Sequence, residues 1–393
     1  MNTQNSFNRY IDLVEPSRSV VLSARLRQML SQGADVVNLT GGEPDFDTPV
    51  QICEEAARQM LAGNTHYGDS KGDPQLRGAI AEKLRADSHA HYSPDNILIT
   101  PGGKYAIYLA VQAIVNPGDE VLWLTPGWVS YPSIVTLCGA KPVAVRLEAE
   151  DNFALSCEKL EEHTSERTRL LIINYPNNPT GAVLTGSDME ELKKYLMRHP
   201  DIYCLSDEIY EKLVYDGCSS LSPASVPELS ERILVVNGFS KCSAMTGWRI
   251  GYLAMNPEIC TRVMKIFQHS MSCVSGFIQK AAITALHLEE ETQKMRRAYE
   301  MRRNIIYEEL KDIPNVHFEK PSGAFYAWVK FDTSLSSEEL CSLLLEKPGI
   351  GGIPGSAFGE EEECRIRFCY ASSDDTIREF TSRLKAFAPS VPR

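Results

Sequence analysis

Lys241 is the residue of this chain best placed for covalent chemistry. The apolar run 233–236 predicts a buried strand, and Lys241 follows it after Asn237-Gly238-Phe239-Ser240. A lysine near the end of a buried strand is desolvated, which lowers the pKa of its amine and lets it form an imine. Ser240 and Arg249 flank it with a hydroxyl and a fixed positive charge that suit a phosphate. Lys241 alone would also fit a surface loop, but the three residues together indicate pyridoxal phosphate, an aldehyde cofactor that carries a phosphate.

Two other predicted strands lead into residues that suit a phosphate and a planar ring. Strand 96–100 is followed by Pro101-Gly102-Gly103-Lys104 and a predicted helix. Gly-Gly at a helix start exposes backbone N–H groups to a phosphate, although it also occurs in ordinary tight turns. Strand 120–124 is followed by Trp128, which would either stack on the ring or pack in the core.

Two further strands lead into polar side chains. Strand 169–174 precedes 175–181, where two prolines fix the position of Asn178, and strand 202–206 precedes Asp207. A carboxylate there can pair with a protonated pyridine nitrogen and keep the ring an electron sink. We expect Tyr210 on the same helical face as Asp207, within reach of the ring oxygen. Asn178 as a turn residue and Asp207 as a helix N-cap are the alternatives. Because ligands of α/β sheets bind beyond the carboxyl ends of strands, five such ends in order favour one site.

The elements that must position these residues alternate between strand and helix. The predicted strands are 36–40, 96–100, 120–124, 142–147, 169–174, 202–206, 233–237 and 249–254, and the predicted helices include 48–61, 74–84, 104–115, 187–198 and 208–214. This alternation predicts an α/β domain with a mostly parallel sheet. A long helical stretch, 277–310, leads to residues 315–393. There, strands 316–319, 324–331 and 365–369 and helices 336–345 and 375–386 predict a smaller α+β domain.

The composition of the chain limits the kinds of partner and the cellular compartment that we expect. The chain has 393 residues and a net charge of −12, which argues against nucleic acid and anionic membranes as partners. No apolar run approaches membrane-spanning length. The eleven cysteines include no CxxC pair, so we expect no metal site and a reducing compartment. A polar N-terminus without a signal-peptide core favours a cytoplasmic protein.

Six motifs then carry a resemblance to a known family. They lie at 40–49 (TGGEPDFDTP), 177–181 (NNPTG), 206–210 (SDEIY), 245–252 (MTGWRIGY), 354–359 (PGSAFG) and 365–370 (RIRFCY). In this order, spanning nearly the whole chain, they resemble the fold-type I pyridoxal-phosphate aminotransferases of class I/II, and in particular the bacterial aspartate aminotransferase subgroup. The resemblance implies an α/β fold with a mostly parallel seven-stranded sheet in a large domain, 46–290. It also implies a small α+β domain, 291–393, packed with the N-terminal segment 1–45.

The same resemblance implies roles for individual residues. Lys241 would hold the cofactor through an imine and later move a proton between the substrate Cα and the cofactor carbon. Asp207 would bind the pyridine nitrogen, Asn178 and Tyr210 the phenolate oxygen, and Trp128 would stack on the ring.

The resemblance also assigns the phosphate and substrate ends of the site. Gly103, Lys104, Ser240 and Arg249 would surround the phosphate, and Tyr67 would reach the phosphate of a neighbouring subunit, which implies a homodimer with shared sites. Arg367 would bind the substrate α-carboxylate as a bidentate fork, with Gly42, Asn178 and Trp128 beside it.

Lys104 is the residue that bears on substrate choice. A buried ammonium favours a second carboxylate, so we expect transfer from an acidic amino acid to a 2-oxo acid such as 2-oxoglutarate, by a ping-pong mechanism. An aromatic or specialised amino acid, β-elimination and oxygen-dependent oxidation are the alternatives, and a non-catalytic sensory role is disfavoured. Gly127 and the stretch 273–276 depart from the subgroup pattern and are expected to enlarge or reshape the side-chain pocket.

Overall fold

A computed structural model describes residues 8–360, 362 and 364–393, with the backbone alone at 18–20 and 25. Its α-helices are α1 (Arg18–Ser31), α2 (Val50–Leu61), α3 (Pro74–Ser88), α4 (Gly103–Ile114), α5 (Ser130–Leu137), α6 (Cys157–Glu162), α7 (Gly186–Arg198), α8 (Pro257–Ser270), α9 (Gly276–Leu286), α10 (Glu289–Leu310), α11 (Ser337–Glu346) and α12 (Asp374–Phe387). Its strands are β1 (Val37–Asn38), β2 (Ile97–Thr100), β3 (Glu120–Thr125), β4 (Lys141–Arg146), β5 (Thr168–Asn174), β6 (Tyr203–Asp207), β7 (Ile233–Gly238), β8 (Gly251–Ala254), β9 (Val316–Phe318), β10 (Tyr326–Phe331), β11 (Ile350–Gly351), β12 (Ile353–Pro354) and β13 (Arg365–Cys369).

Seven strands form the central sheet, in the order β2-β8-β7-β6-β5-β3-β4. Strands β3 to β7 are parallel, and β8 runs antiparallel to both of its neighbours. The inner strands are buried almost throughout because helices cover both faces, whereas the edge strand β4 is partly exposed. The prediction of an α/β fold with a mostly parallel seven-stranded sheet is confirmed.

The carboxyl edge of this sheet brings distant parts of the chain together. Asn174 at the end of β5 pairs in register with Asp207 at the end of β6, and Asp207 pairs with Val236 of β7. Chain turns that start at this edge carry the residues after each strand over the same surface. Parallel strands therefore place Asn178, Asp207 and Lys241, which lie far apart in sequence, beside one cavity.

The C-terminal residues build a second, smaller sheet in the order β12-β13-β10-β9, and β1 pairs with β11. Val37 and Leu39 from near the N-terminus share an apolar core with this sheet and with α10, α11 and α12. A separate and larger core fills the space around the seven-stranded sheet. In the described ranges no helix has the length and apolar character needed to cross a membrane.

The predicted helix 208–214 is wrong, because this segment forms turns. Two of its backbone hydrogen bonds close turns within the segment, and others join it to distant parts of the chain. The Glu208 N–H donates to the Val236 carbonyl, and the Leu213 carbonyl accepts from the Ala324 N–H. The stretch 277–310 divides into α9 and α10 at residues 287–288, and β8 starts at Gly251 rather than at residue 249.

Candidate active site

A cavity of about 450 Å³ lies at the carboxyl edge of the large sheet, where the smaller sheet meets it. Eleven of the twelve predicted site residues line it, and Tyr67 is the exception. The eleven are Gly42, Gly103, Lys104, Trp128, Asn178, Asp207, Tyr210, Ser240, Lys241, Arg249 and Arg367. They come from five strand ends of the large sheet, from the loop after β1 and from β13. The fold thus gathers almost the whole predicted set at one place.

Lys241 lies in the turn after β7, with its ammonium directed into the cavity. Its Nζ donates a hydrogen bond to the Gly42 carbonyl and lies 5.9 Å from the centre of the Tyr210 ring. Burial lowers the pKa of Lys241 to about 8, although nearby Cys369 and Glu43 act in the opposite direction. More of this amine is therefore unprotonated near neutral pH than for an exposed lysine, which favours nucleophilic chemistry.

Asp207 ends β6 with its carboxyl group buried. Its Oδ1 accepts from the Ile209 N–H at 3.2 Å, and its Oδ2 accepts from the Tyr131 hydroxyl at 2.8 Å. Burial raises the pKa of Asp207 to about 6, while these two hydrogen bonds and Lys241 act to lower it. The sequence analysis did not identify Tyr131, which lies on α5 and gave no signal apart from its position after Trp128.

Tyr210 reaches the cavity from a turn rather than from the helix that we expected. Its hydroxyl shares a 2.7 Å hydrogen bond with the hydroxyl of Tyr326 on β10. The Tyr326 ring also lies under the Arg367 guanidinium, 4.4 Å from its centre. Tyr326 is therefore a second cavity residue that the sequence analysis missed.

Arg367 lies on β13 and is buried. Its Nη1 donates to Asn178 Oδ1 at 3.0 Å, and its Nη2 donates to the carbonyls of Thr40 and Gly41 at 3.0 and 2.8 Å. Its Nε is buried and has no hydrogen-bond partner among the described residues. Arg365 does not line the cavity and pairs with Glu362 at 3.4 Å. Arg367 thus keeps one buried donor that no described residue satisfies.

The start of α4 and Arg249 form a second cationic region. Gly102 precedes the helix with φ of 88°, and a Cβ built on it would lie 2.4 Å from Arg249 Nη2. Only glycine permits this backbone conformation and this close approach. Arg249 donates to the Thr246 carbonyl at 2.9 Å and, at 3.5 Å, to the Pro101 carbonyl. Together with the unpaired first N–H groups of α4, it makes a seat suited to a phosphate.

Lys104 is a further cation of the cavity. Its Nζ lies 4.9 Å from the centre of the Trp128 ring. Burial and the charge of Arg249 lower the pKa of Lys104. Within the part of the chain that the structure describes, no carboxylate pairs with Lys104, Arg249 or Arg367. These three cations therefore lack counter-ions, and Arg27 also lines the cavity.

Asn174 is a further residue that the sequence analysis did not single out. Its Nδ2 donates to the Asp207 carbonyl at 2.9 Å, and its Oδ1 accepts from the Asn178 N–H at 2.9 Å. It links the ends of β5 and β6 and fixes the backbone of two predicted site residues. Its position as the last residue of a predicted strand was the available signal.

Tyr67 and the stretch 273–276 lie away from this cavity. Tyr67 is 90% exposed and lines a separate surface cleft with His66, Cys273 and Ser275. Gly127 does not line the cavity either, and a Cβ on it would lie 2.3 Å from the Leu124 carbonyl oxygen. The expectation that Gly127 enlarges the pocket is wrong, because this glycine meets a backbone requirement instead.

The cavity fits pyridoxal phosphate by its own donors and acceptors. The α4 start and Arg249 suit the phosphate, Trp128 offers a ring face, and Asp207 offers a buried carboxylate for a ring nitrogen. Lys241 supplies the amine. No group of three or more His, Cys, Asp or Glu among residues 8–360, 362 and 364–393 is arranged to hold a metal ion.

Comparison with known proteins agrees with this chemistry. The family model for aminotransferase class I and II matches residues 34–384. An aspartate aminotransferase of Bacillus subtilis is 38% identical, with 96% of this chain and 97% of that protein covered. An aromatic-amino-acid aminotransferase of Thermococcus litoralis is 41% identical, with 91% and 92% covered. The solved structure of aspartate aminotransferase from Thermus thermophilus with maleate has a TM-score of 0.92 and 36% identity, covering 98% of this chain and all of that one.

Proposed function

Because the chain belongs to the aminotransferase class I and II family and is a pyridoxal-phosphate-dependent transaminase, we propose that it acts on acidic amino acids. It moves the amino group of aspartate or glutamate to a 2-oxo acid such as 2-oxoglutarate, in two half-reactions. The names of the Bacillus and Thermus relatives support this substrate class. The name of the Thermococcus relative supports aromatic amino acids as the second candidate.

The observation that carries this proposal is the group of unpaired cations in one cavity, among them Lys104, Arg249 and Arg367. Arg367 is buried, and a buried charge is costly unless it is paired, so Arg367 calls for an anion in the working complex. Lys104 and Arg249 are more exposed and attract anions through their positive charge. Arg249 suits the cofactor phosphate and Arg367 the substrate α-carboxylate, and Lys104, beside the Trp128 ring, suits a second substrate carboxylate. An apolar side chain would leave Lys104 unpaired and would therefore bind less well.

We assign the cofactor contacts as follows. When bound, pyridoxal phosphate supplies an aldehyde that joins to an amine and a ring that takes up the electron pair of the substrate Cα–H bond. Lys241 holds the cofactor, and Asp207 pairs with the ring nitrogen. Asn178 and Tyr210 bind the ring oxygen, and Trp128 stacks on the ring. Gly103, Ser240 and Arg249 bind the phosphate, and Lys104 lies between the phosphate and the substrate.

The substrate is held by its carboxylates and loses its proton to Lys241. Arg367 binds the α-carboxylate through a bidentate fork, next to the backbone of Gly42 and the amide of Asn178. In its unprotonated form, Lys241 Nζ would accept the Cα proton of the substrate. The lowered pKa of Lys241 suits this role, since a general base works best with a pKa near the working pH.

We further propose a homodimer in which Tyr67 reaches the phosphate end of the partner's site. Tyr67 is exposed here and lies outside its own cavity. Val50, Met60 and Leu61 of α2 add exposed apolar surface on the same chain.

Two separate apolar cores support a large domain, 46–290, and a small domain, 291–393 with 1–45. Eleven free cysteines support a cytoplasmic location.

A half-reaction screen tests the substrate proposal. The yellow holoenzyme is mixed with single amino acids, and absorbance follows its conversion to the pyridoxamine form. We expect aspartate and glutamate to react fastest. Lys104→Ala should slow both by about 10- to 100-fold, the value of one lost charge-assisted hydrogen bond, and should leave alanine and phenylalanine nearly unchanged.

Lys265→Ala is the matched control, because Lys265 is exposed on α8 and does not line the cavity. An unchanged preference among aspartate, phenylalanine and alanine in Lys104→Ala would refute the acidic substrate. Release of free ammonia or consumption of oxygen without a matched new amino acid would instead support elimination or oxidation.

A further inference from the structure

Tyr131 makes a buried contact with Asp207 from a different part of the fold. It lies in the first turn of α5 and is 2% exposed. Its hydroxyl donates to Asp207 Oδ2 at 2.8 Å, across 76 residues of sequence. Its ring meets the Trp128 ring edge-on, with centroids 5.3 Å apart and an interplanar angle of 82°. The Tyr131 side chain therefore contacts both Asp207 and Trp128, two residues to which we assign cofactor contacts.

The surroundings of Asp207 show why its hydrogen bond with Tyr131 matters. The Asp207 carboxyl is buried, and its other protein donor is the Ile209 N–H at a longer 3.2 Å. Lys241 and Tyr210 are the other titratable groups that face it. Burial raises the pKa of Asp207 to about 6, and the Tyr131 hydrogen bond is the largest influence that opposes this rise. Burial also raises the pKa of Tyr131 well above its usual value, so this hydroxyl stays a donor.

We propose that Tyr131 is a positioning residue that keeps Asp207 ionised and oriented toward the cofactor ring nitrogen, and that holds the Trp128 ring edge-on beside it. This inference rests on the proposed role of Asp207. A hydrogen bond to a carboxylate stabilises its charged form. Without the Tyr131 hydroxyl the carboxylate is more basic, and the proton shared with the ring nitrogen moves toward Asp207. The ring then loses the positive charge that makes it an effective electron sink.

The test uses the variant Tyr131→Phe, which removes only the hydroxyl and keeps the aromatic ring. In the apoenzyme, selective ¹³C labelling of aspartate carboxyl groups follows the titration of Asp207, with Asp207→Asn to assign its signal. We expect the Asp207 midpoint to rise by about one pH unit, the size given by one lost hydrogen bond to a charged acceptor. In the holoenzyme with ¹⁵N-labelled cofactor, the ring nitrogen signal should move toward its unprotonated value, and kcat should fall more than KM changes.

Tyr252→Phe is the matched control, because the Tyr252 hydroxyl is buried and has no hydrogen-bond partner among the described residues. It should leave both signals at their wild-type positions. An Asp207 midpoint or a ring nitrogen signal in Tyr131→Phe equal to that of wild type would overturn the proposal. Failure of the proposed function would be a separate result, because wild-type protein would then show no imine absorbance with the cofactor. The titration of Asp207 in the apoenzyme does not depend on the cofactor and can be interpreted in either case.

Discussion

At the scale of single residues, burial moves the pKa values of the two central groups of the cavity toward each other. It raises the pKa of Asp207 to about 6 and lowers that of Lys241 to about 8, since a buried site disfavours both charged forms. Glu208, next in sequence, has a pKa raised to about 8, yet it accepts from Ser206 and Ser222 and does not line the cavity. A raised pKa therefore identifies a functional group only together with its location.

The raised pKa of Asp207 predicts a pH-dependent stability of the apoenzyme. The unfolded carboxyl has its ordinary value of 3.8, below the folded value of about 6. Its contribution to stability is thus fully present below pH 4 and is lost as the pH rises through 6. Asp207→Asn avoids this loss, so we expect the variant to match wild type near pH 4 and to be more stable above pH 6, by ~3 kcal/mol at most.

Thermal unfolding of both apoenzymes between pH 4 and pH 8 measures this difference. Asp151→Asn, at an exposed position, is the control and should show no pH-dependent gain. A difference between Asp207→Asn and wild type that stays constant across this range would contradict the account of a buried, ionised carboxylate.

At the scale of elements, the sequence predicted the strands of the large sheet well. Inner strands are buried on both faces and so appear as nearly continuous apolar runs, as in Thr168–Asn174, predicted as 169–174. The predicted helix 208–214 failed for a non-local reason. Its residues favour a helix, but Leu213 and Val214 bond to the backbone at 323–324, more than 100 residues away. Tertiary contacts of this kind override local propensity.

The residues of the candidate site also divide into those that local sequence patterns predicted and those that depend on distant contacts. Lys241, Asp207 and Asn178 were predictable because each follows a recognisable strand. Tyr131 and Tyr326 were not, because each is identified by a hydroxyl contact to a residue 76 or 116 positions away. No local pattern marks such a pair. The family resemblance supplied Arg367 and Tyr67, which strand periodicity alone would not have selected.

At the scale of the whole molecule, the cavity depends on two packed cores. The small sheet carries Arg367 and Tyr326 to the edge of the large sheet, where Lys241 lies. Within the small domain, Arg302 of α10 pairs with Asp45 at 2.9 Å and with Asp374 at 2.8 Å. The substrate carboxylate and the reacting amine are therefore held by different parts of the fold.

The proposed dimer predicts that two inactive variants complement each other. Lys241→Ala removes the reacting amine, and Tyr67→Ala removes the side chain proposed to reach across the interface. In a hybrid, Lys241 of one protomer meets Tyr67 of the partner subunit, so one site is complete. Subunit exchange should restore about a quarter of wild-type activity, since half of randomly mixed dimers are hybrids with one complete site.

Activity of the mixture is compared with each variant alone and with each variant after mock exchange. A mixture whose activity is only the mean of the two variants would contradict shared sites. That result would not contradict the proposed role of Lys241, because Lys241 acts within its own protomer.

The most direct measurement is reductive trapping of the cofactor followed by peptide mapping. Borohydride reduces the imine in the holoenzyme to a stable amine, and trypsin does not cleave after a modified lysine. The expected result is a peptide covering 233–249 that carries the pyridoxyl phosphate mass, with the adduct at Lys241. An adduct at another lysine, or none in protein incubated with the cofactor, would contradict the assignment of this cavity as the active site.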